Sequence, residues 1–312
     1  MIIEKLDIMN FRNYDSLNIT LHPKLNVFIG KNGMGKTNIL ESIYFLAITK
    51  SYRTSLDKKM IQNKKKEAKV RGKIKFENSL DKVLEMNLSE TYKIAKIDGN
   101  EEKRLSDYIS KLNVVIFSPE TIDLLKDGPQ IRRKFLNIEI GQINNNYLKQ
   151  LNIYNNVLKT RNEYLKKIGD SRNVDEIYID ILTNKLIESS IILYNERKKF
   201  VDKLNDRIDF IYKKISEEGN VRIKYISGIE DYSGEAIQVM MRDKYKSNFK
   251  YEVDQGLTLF GPHRDDFLIV LNDKDIRNFG SQGQQRTVLL ALKLSEVEIF
   301  KEETNTTPVL LL

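Results

Sequence analysis

The sequence predicts an α/β fold, and three observations carry that expectation. Short apolar bursts of strand length recur near both ends of the chain. A glycine-rich segment near the N-terminus runs straight into a helical rhythm of apolar residues. Between residues 130 and 216 glycine and proline almost vanish while apolar residues recur at three- and four-residue spacing, the pattern of long amphipathic helices.

Taken in order, residues 2–8, 17–21 and 25–29 are apolar bursts separated by Asn- and Asp-containing turns, and they read as strands. The third leads into Gly30, Lys31, Asn32, Gly33, Met34, Gly35, Lys36 and Thr37, after which Ile39, Leu40, Ile43, Tyr44 and Ala47 fall at helical spacing. The local order is therefore strand, glycine loop, helix. A lysine-rich approach then meets a meander of residues 70–76, 83–88 and 92–97, closed by a turn at Asp98 and Gly99. Residues 114–117 form a compact buried strand, and Ser118, Pro119 and Glu120 open a short helix with proline at its first position. Two helical arms, near 130–168 and 174–216, join around Gly169, Asp170 and Ser171 as a hairpin or small bundle. Ile187, Ile191, Tyr194, Val201, Leu204, Ile208, Ile211 and Ile215 trace the apolar stripe of the second arm, without the strict heptads of an extended coiled coil. Strand-like bursts return at 221–226, 257–260 and 267–271, and an apolar helix over 287–300 and a final burst at 308–312 complete the chain. The expected division is a discontinuous head, residues 1–128 plus 217–312, and a helical lobe, residues 129–216.

With 312 residues and 40% hydrophobic content the chain can build a real core, as one large or two ordinary domains. The absence of cysteine excludes a disulfide framework, a thiol nucleophile and a Cys-ligated zinc or iron–sulfur centre, and two histidines, His22 and His263, exclude a multi-His metal site. Apolar runs are only a handful of residues long, and Glu4, Lys5 and Asp7 interrupt the N-terminus. Neither a signal peptide nor a membrane span is expected, and the protein reads as soluble and cytoplasmic. Lys and Arg total 52 against 44 Asp and Glu, a net charge of +8. That excess suits nucleic-acid binding, although a lysine-rich proteome produces it too.

Residues 30–37 match G-x-x-x-x-G-K-[ST] in full. Glycines let the backbone curl so that successive N–H groups and a helix N-terminus point at one anion. Lys36 would reach the β- and γ-phosphates of a purine nucleoside triphosphate, and the Thr37 hydroxyl would ligate Mg²⁺. The plain alternative is a glycine-rich turn capping a helix. A GTPase would add an N-K-x-D motif, but the nearest string, Asn184-Lys185-Leu186-Ile187, has no Asp and lies inside a helix. A small-molecule P-loop kinase leaves the basic meander and the helical insertion unexplained.

A second constellation, Phe279-Gly280-Ser281-Gln282-Gly283-Gln284-Gln285-Arg286, precedes the last helix. Ser281 and Gln284 have capping-box spacing, and Ser281, Gly283 and a helix N-terminus offer a second anion-binding end. The string resembles the signature motif of ABC-type ATPases, in which the phosphate loop of one subunit and the signature of another sandwich ATP. More narrowly, several strings together resemble the bacterial RecF recombination mediators. They are Asn10-Phe11-Arg12-Asn13-Tyr14, the phosphate loop through Asn38, Ser51-Tyr52-Arg53-Thr54, Phe117-Ser118-Pro119-Glu120, Gly261-Pro262-His263-Arg264-Asp265-Asp266 and Gly280 to Arg286.

The resemblance covers nearly the whole chain. It implies an ABC-type P-loop ATPase head with an antiparallel β subdomain and a helical second lobe, related to SMC and Rad50 heads but without their long coiled coils. It further implies that Gly30, Lys31, Asn32, Gly33, Met34, Gly35, Lys36, Thr37 and Asn38 bind ATP with Mg²⁺ on Thr37, and that Ser281, Gln282, Gly283 and Gln284 contact the nucleotide in trans. An ATP-dependent homodimer on DNA, with RecR and RecO as partners in loading RecA, would serve DNA replication, recombinational gap repair and SOS induction. The family continues past its last hydrophobic strand into the Walker B acid. This sequence stops at Leu312, so it reads as a fragment that binds nucleotide without hydrolysing it efficiently.

Arg53, after the first helix, is a candidate for phosphate or adenosine contact. Glu120 stands where related ATPases carry a Q-loop glutamine, or is simply a first-turn acid. Arg264, with Asp265 and Asp266, suits nucleotide, a dimer partner or DNA; adjacent carboxylates on a strand face opposite ways, which argues against a shared metal. His263 is a catalytic candidate, but in a turn feeding a strand a histidine is more often structural or interfacial. Lys58, Lys59, Lys64, Lys65, Lys66, Lys69 and Arg71 are candidates to track a single-stranded, gapped or duplex DNA backbone, or else form a solvated face. No aromatic-interleaved basic stretch suggests base reading. The alternative from another class, a membrane transporter's ATPase subunit, would place its two motifs closer together and lacks the Gly-Pro-His-Arg-Asp-Asp string.

Overall fold

Alternating burial builds the first sheet. In β1 (Ile2–Phe11) the buried side chains are Ile3, Leu6, Ile8 and Phe11, and the early break in their two-residue period falls at a bulge between Ile3 and Lys5. β2 (Tyr14–Thr20) returns antiparallel, and α1 (Lys36–Ile48) follows. β3 (Glu67–Lys75), β4 (Lys82–Ser89), β5 (Lys93–Ile97) and β6 (Asn100–Glu101) extend the sheet in the order β2-β1-β3-β4-β5-β6, antiparallel throughout. The expected turn at Asp98 and Gly99 joins the last two, both residues at positive φ, 50° and 85°. α1 packs against β1, β3 and β4. At Gly72 on β3 a Cβ would stand 2.6 Å from Leu46 Cδ2, so glycine sets how closely helix and sheet approach.

The computed structural model describes residues 1–76, 80–171, 173–216, 219–229 and 234–312. The chain divides into two compact units, Met1–Thr121 with Gly141–Asn145 and Glu296–Leu312, and Ile122–Ile140 with Asn146–Ser295. The division drawn from the sequence groups residues otherwise, and its boundary at residue 217 lies outside the described residues. After the first sheet come α2 (Leu105–Ile109), β7 (Val114–Ile116), a 3-10 turn at Pro119–Ile122 and α3 (Asp123–Lys126).

The arm expected near 130–168 is two helices, α4 (Pro129–Ile143) and α5 (Asn145–Ser171). Just before the break, in the last turn of α4, Gln142 accepts from Val114 N at 2.8 Å and donates to Val114 O at 3.1 Å through its side chain. α6 (Glu176–Ile215) is the second arm, capped by Asp175, whose carboxylate accepts from Tyr178 N at 3.0 Å. β8 (Val221–Ile226) is followed by α7 (Glu235–Gln255), an element the sequence reading missed. Buried Ile237, Met241, Tyr245 and Glu252, with Gly256 in the left-handed conformation at the C-terminus, were its signal. β9 (Asp266–Leu271) and β10 (Lys274–Asp275) form a three-stranded sheet ordered β10-β9-β8, and α8 (Ile276–Phe279) and α9 (Gln282–Thr304) follow. β11 (Val309–Leu311) pairs parallel with β7, Val309 opposite Val114.

Two expected strands are not strands. Residues 257–260 are a loop in which Glu252 Oε1 accepts from Leu259 N and Asn162 Oδ1 from Thr258 N, each at 2.8 Å; side chains meet the backbone demand that a ladder would otherwise meet. In residues 25–29, Leu25, Val27 and Ile29 are 70%, 70% and 89% exposed. Alternating apolar residues make a strand only beside a neighbour, and none pairs there among the described residues. No helix of the described residues is long and apolar enough to cross a membrane.

The second unit is held by buried charge as well as by apolar contact. Arg197 on α6 donates to Tyr147 Oη at 3.0 Å, Pro262 O at 2.7 Å, Asn137 Oδ1 at 3.0 Å and Asp265 Oδ2 at 3.1 Å. Tyr225 also donates to Asp265. Arg161 on α5 reaches Glu252 at 2.6 Å and Thr258 Oγ1 at 2.8 Å. Every arm of these arginines that is buried finds an acceptor, which is what makes a buried guanidinium tolerable.

Candidate functional site

The glycine loop ends on α1. Gly33 and Gly35 hold φ of 83° and 98°, which other residues seldom adopt, and a Cβ on Gly35 would lie 2.8 Å from Asn13 and from Tyr14 Oη. Gly35 supplies no side-chain cap to α1 and the first turn carries no acid, so the positive end of the helix faces the loop uncontested. Lys36 folds back across the loop and donates from Nζ to Gly30 O at 2.7 Å and Lys31 O at 2.9 Å. Thr37 stands exposed in the first turn. This is an anion cradle with a cation across its mouth.

Beneath it lies a carboxylate that the sequence reading passed over. Glu41, fully buried on α1, accepts from Arg12 Nε at 2.9 Å and Nη2 at 2.5 Å, from Arg53 Nη1 at 3.1 Å and from Ser51 Oγ at 2.5 Å. Arg53 Nη1 also donates to Asn38 Oδ1 at 2.9 Å, and Asn38 Nδ2 donates to Asn13 Oδ1 at 2.6 Å. The β1–β2 turn, the loop after α1 and α1 itself are thus tied to one point, and the structure brings Arg53 to the end of the phosphate loop. The signal for Glu41 was a lone acid in a helix otherwise apolar from Ile39 to Ile48 except for Ser42. An acid so placed must be buried with partners. Next door, Tyr52 is pushed up to about 12, first by burial and then by the Glu41 charge.

The capping box expected at the second constellation is present. Ser281 Oγ accepts from Gln284 N at 3.2 Å, and Gln284 Oε1 accepts from Ser281 N at 2.9 Å. Ser281, Gln282, Gly283 and Gln284 are all exposed, and a Cβ on Gly283 would meet nothing nearer than Ser281 Oγ at 3.9 Å. The loop and this segment fall in different units of the chain.

The Gly-Pro-His-Arg-Asp-Asp string is an anchored turn from which one side chain projects. Asp265 is taken by Arg197 and Tyr225, and Asp266 by Arg132 at 2.6 and 3.0 Å, on opposite faces as the alternation of a strand requires. His263 Nδ1 meets Tyr154 Oη at 2.5 Å and Nε2 meets Thr258 O at 2.9 Å, so Nε2 carries a proton, donated to the carbonyl. Arg264 is exposed and makes no side-chain hydrogen bond or ion pair among the described residues.

Burial pushes the His263 imidazole down to about 4, against the pull of the Thr258 carbonyl. Above pH 6.5 the ring is neutral folded and unfolded alike. As pH falls from 6.5 to about 4 the unfolded chain takes up a proton that the folded one refuses, so stability is lost across that window and no further below it. The loss is roughly 3 kcal/mol. In His263→Gln, denaturant titrations at pH 7, 5.5 and 4 are expected to show a decline smaller by that amount; an identical decline would refute the assignment.

Comparison with known proteins now bears on these geometries. Residues 2–312 match the family described as the RecF/RecN/SMC N-terminal domain. A protein of Ligilactobacillus salivarius named DNA replication and repair protein RecF is 41% identical over 316 aligned positions, which cover all of this chain and 83% of that relative. One of the same name from Listeria monocytogenes is 43% identical, again over the whole chain and over 85% of its own length.

The chain belongs to the RecF family.

A solved structure of the recombination mediator protein RecF with ATP, in the RecFOR pathway, superposes with a TM-score of 0.95 at 33% identity, over all of this chain and 84% of the other. The Smc head from Pyrococcus furiosus shares the fold alone, at a TM-score of 0.52 and 16% identity. The α/β architecture is thus that of an ABC-type ATPase head, with the antiparallel sheet and long helices anticipated for RecF.

On this RecF fold the remaining candidates separate. Glu120 is exposed in the 3-10 turn Pro119–Ile122, as a first-turn acid. Lys58 and Lys59 sit in the 3-10 helix Asp57–Met60, and Lys64, Lys65 and Lys66 are exposed in the turn before β3. Arg71 is exposed on β3, whereas Lys69 is held by Glu85 at 2.8 Å. Among the described residues, Lys58, Lys59, Lys64, Lys65, Lys66 and Arg71 make no ion pair, whereas Lys69 does. No group of three or more metal-ligating side chains is present among the described residues.

Proposed function

We propose that this chain is an ATP-dependent DNA-binding protein acting in DNA replication, recombinational gap repair and SOS induction in the cytoplasm, and that it closes into a homodimer on DNA when ATP binds. The observation that carries the reading is the phosphate loop: left-handed glycines, an uncapped helix end and Lys36 folded over the mouth. Likeness to a solved RecF with ATP supports it. Backbone N–H groups of Gly30, Lys31, Asn32, Gly33, Met34 and Gly35 curl round the phosphates, Lys36 neutralises them, and Thr37 and Asn38 border them. The Thr37 hydroxyl fits Mg²⁺, which supplies charge neutralisation across the phosphates. Ser281, Gln282, Gly283 and Gln284 of a second copy meet the same nucleotide with the N-terminal end of α9. In this reading residues 1–128 plus 217–312 are the head and 129–216 the lobe. RecR and RecO are the partners, and RecA is reached through them.

DNA lies along Lys58, Lys59, Lys64, Lys65, Lys66 and Arg71, as phosphate contacts without base reading. Reversing Lys64, Lys65 and Lys66 to glutamate is expected to weaken binding equally for unrelated sequences and to reduce the slope of log affinity against log salt by about 3, measured by fluorescence anisotropy. An unchanged slope would acquit these lysines.

The proposal as a whole is tested by light scattering with ATP, ADP and gapped or duplex DNA. A mass that doubles with ATP and DNA together supports it, and a monomer indifferent to both sinks it.

A further inference from the structure

We propose that Glu41 is a positioning residue for the nucleotide, acting through Arg53; the inference rests on the reading of the loop as a triphosphate site. A carboxylate is the wrong charge to bury one helical turn beyond Lys36 and Thr37 beneath an anion cradle, since alone it would repel the ligand and forfeit its own hydration. Its partners explain its presence. Arg12 already engages it through Nε and Nη2, at 2.9 and 2.5 Å, and that bidentate pair suffices to neutralise it. Arg53 is a second guanidinium on the same carboxylate, at 3.1 Å, and Ser51 Oγ adds a fourth donor at 2.5 Å.

Two guanidinium charges on one carboxylate leave the cluster with a surplus of one positive charge. The surplus sits on the outer member. The Arg53 side chain is 37% exposed against 19% for Arg12 and none for Glu41. The same Arg53 nitrogen that touches Glu41 touches Asn38, the residue after Thr37, at 2.9 Å. Asn38 is in turn fixed by Asn13, which donates to Gly33 O in the loop at 3.4 Å.

A long, flexible side chain is thus held from two sides, with its charge beside the end of the phosphate loop. Holding it costs rotamer freedom before the ligand arrives, and the ligand is spared that cost. Arginine suits the role because its planar fork can keep Glu41 and Asn38 on one nitrogen and present the others to a phosphate. Lys36 covers the loop from one side, and Arg53 supplies the second cation.

The test is a double-mutant cycle on binding of a fluorescent ATP analogue with Mg²⁺, read by anisotropy. Arg53→Ala is expected to weaken binding about tenfold, the loss of a charge-assisted phosphate contact. Glu41→Gln keeps shape and one acceptor, and it is expected to cost a similar factor in the wild-type background but less than about twofold beside Arg53→Ala, because its effect passes through that side chain. Equal costs in both backgrounds overturn the proposal, as a merely structural glutamate would act on either. Circular dichroism melts establish folding. If Glu41→Gln does not fold, Glu41→Asp, which keeps the charge and shortens the reach, goes through the same cycle with the same criterion. Failure of the underlying reading looks different: the wild-type protein would bind no ATP, or would bind it unchanged by Lys36→Ala, and the proposal would fall with it.

Discussion

Lys36→Ala is expected to reduce ATP affinity at least about 100-fold, roughly 3 kcal/mol, and to remove ATP-dependent dimerisation with it. The ammonium is the strongest charge over the cradle, and nothing else in the loop carries one except Lys31. The substitution should leave the fold intact. Among the described residues Lys36 Nζ bonds only the Gly30 and Lys31 carbonyls, in a loop open to water that can solvate both. Titration calorimetry beside a thermal melt checks both halves. A variant that melts normally and still binds ATP within tenfold of wild type would remove the loop from the mechanism.

Arg197→Ala is expected to have the largest effect on stability, about 3 to 5 kcal/mol, because it takes the cation from buried Asp265 and one donor each from Tyr147 Oη, Asn137 Oδ1 and Pro262 O. The comparison that gives this figure meaning is Arg277→Ala. Arg277 pairs with Asp275 at 2.7 Å in a more exposed setting, 26% and 17%, and its loss should cost under about 1 kcal/mol. The chain has no tryptophan, so urea titrations are best followed by far-ultraviolet circular dichroism. Equal midpoints for the two variants would show that burial does not set the difference.

These two residues mark how far the sequence can be read. The conformation of the glycine loop was legible because its determinants are local: glycines, a lysine and a threonine at fixed spacing need only a helix start to take up this geometry. The capping box at Ser281 and Gln284 and the Asp98–Gly99 turn were legible for the same reason. Arg197 and Glu41 were not. Each belongs to a polar cluster assembled from segments tens of residues apart, and a charged residue in a helical pattern reads as solvent-facing until its partners are in place. The strand expected at 25–29 failed in the opposite direction: its alternation was real, but a strand is a relation between two segments, and periodicity reports only one. α7 was missed although its buried positions recur at helical spacing, since abundant lysine along its outer face masks the stripe.

Gln142 has a consequence for the small parallel sheet. A β-strand offers hydrogen-bonding groups along two edges, and on β7 one edge is engaged by β11, through Asn113 O and Phe117 N. The groups of Val114 that face the other way are claimed by the Gln142 amide, which imitates a peptide unit of a neighbouring strand. One side chain thereby acts as a stopper, and strand addition at Val114 would first have to evict it. Among the described residues no strand or side-chain amide pairs with the outer margin of β11, so the sheet has a direction: it is blocked at Val114 on one side and open to a further strand alongside Val309, Leu310 and Leu311 on the other.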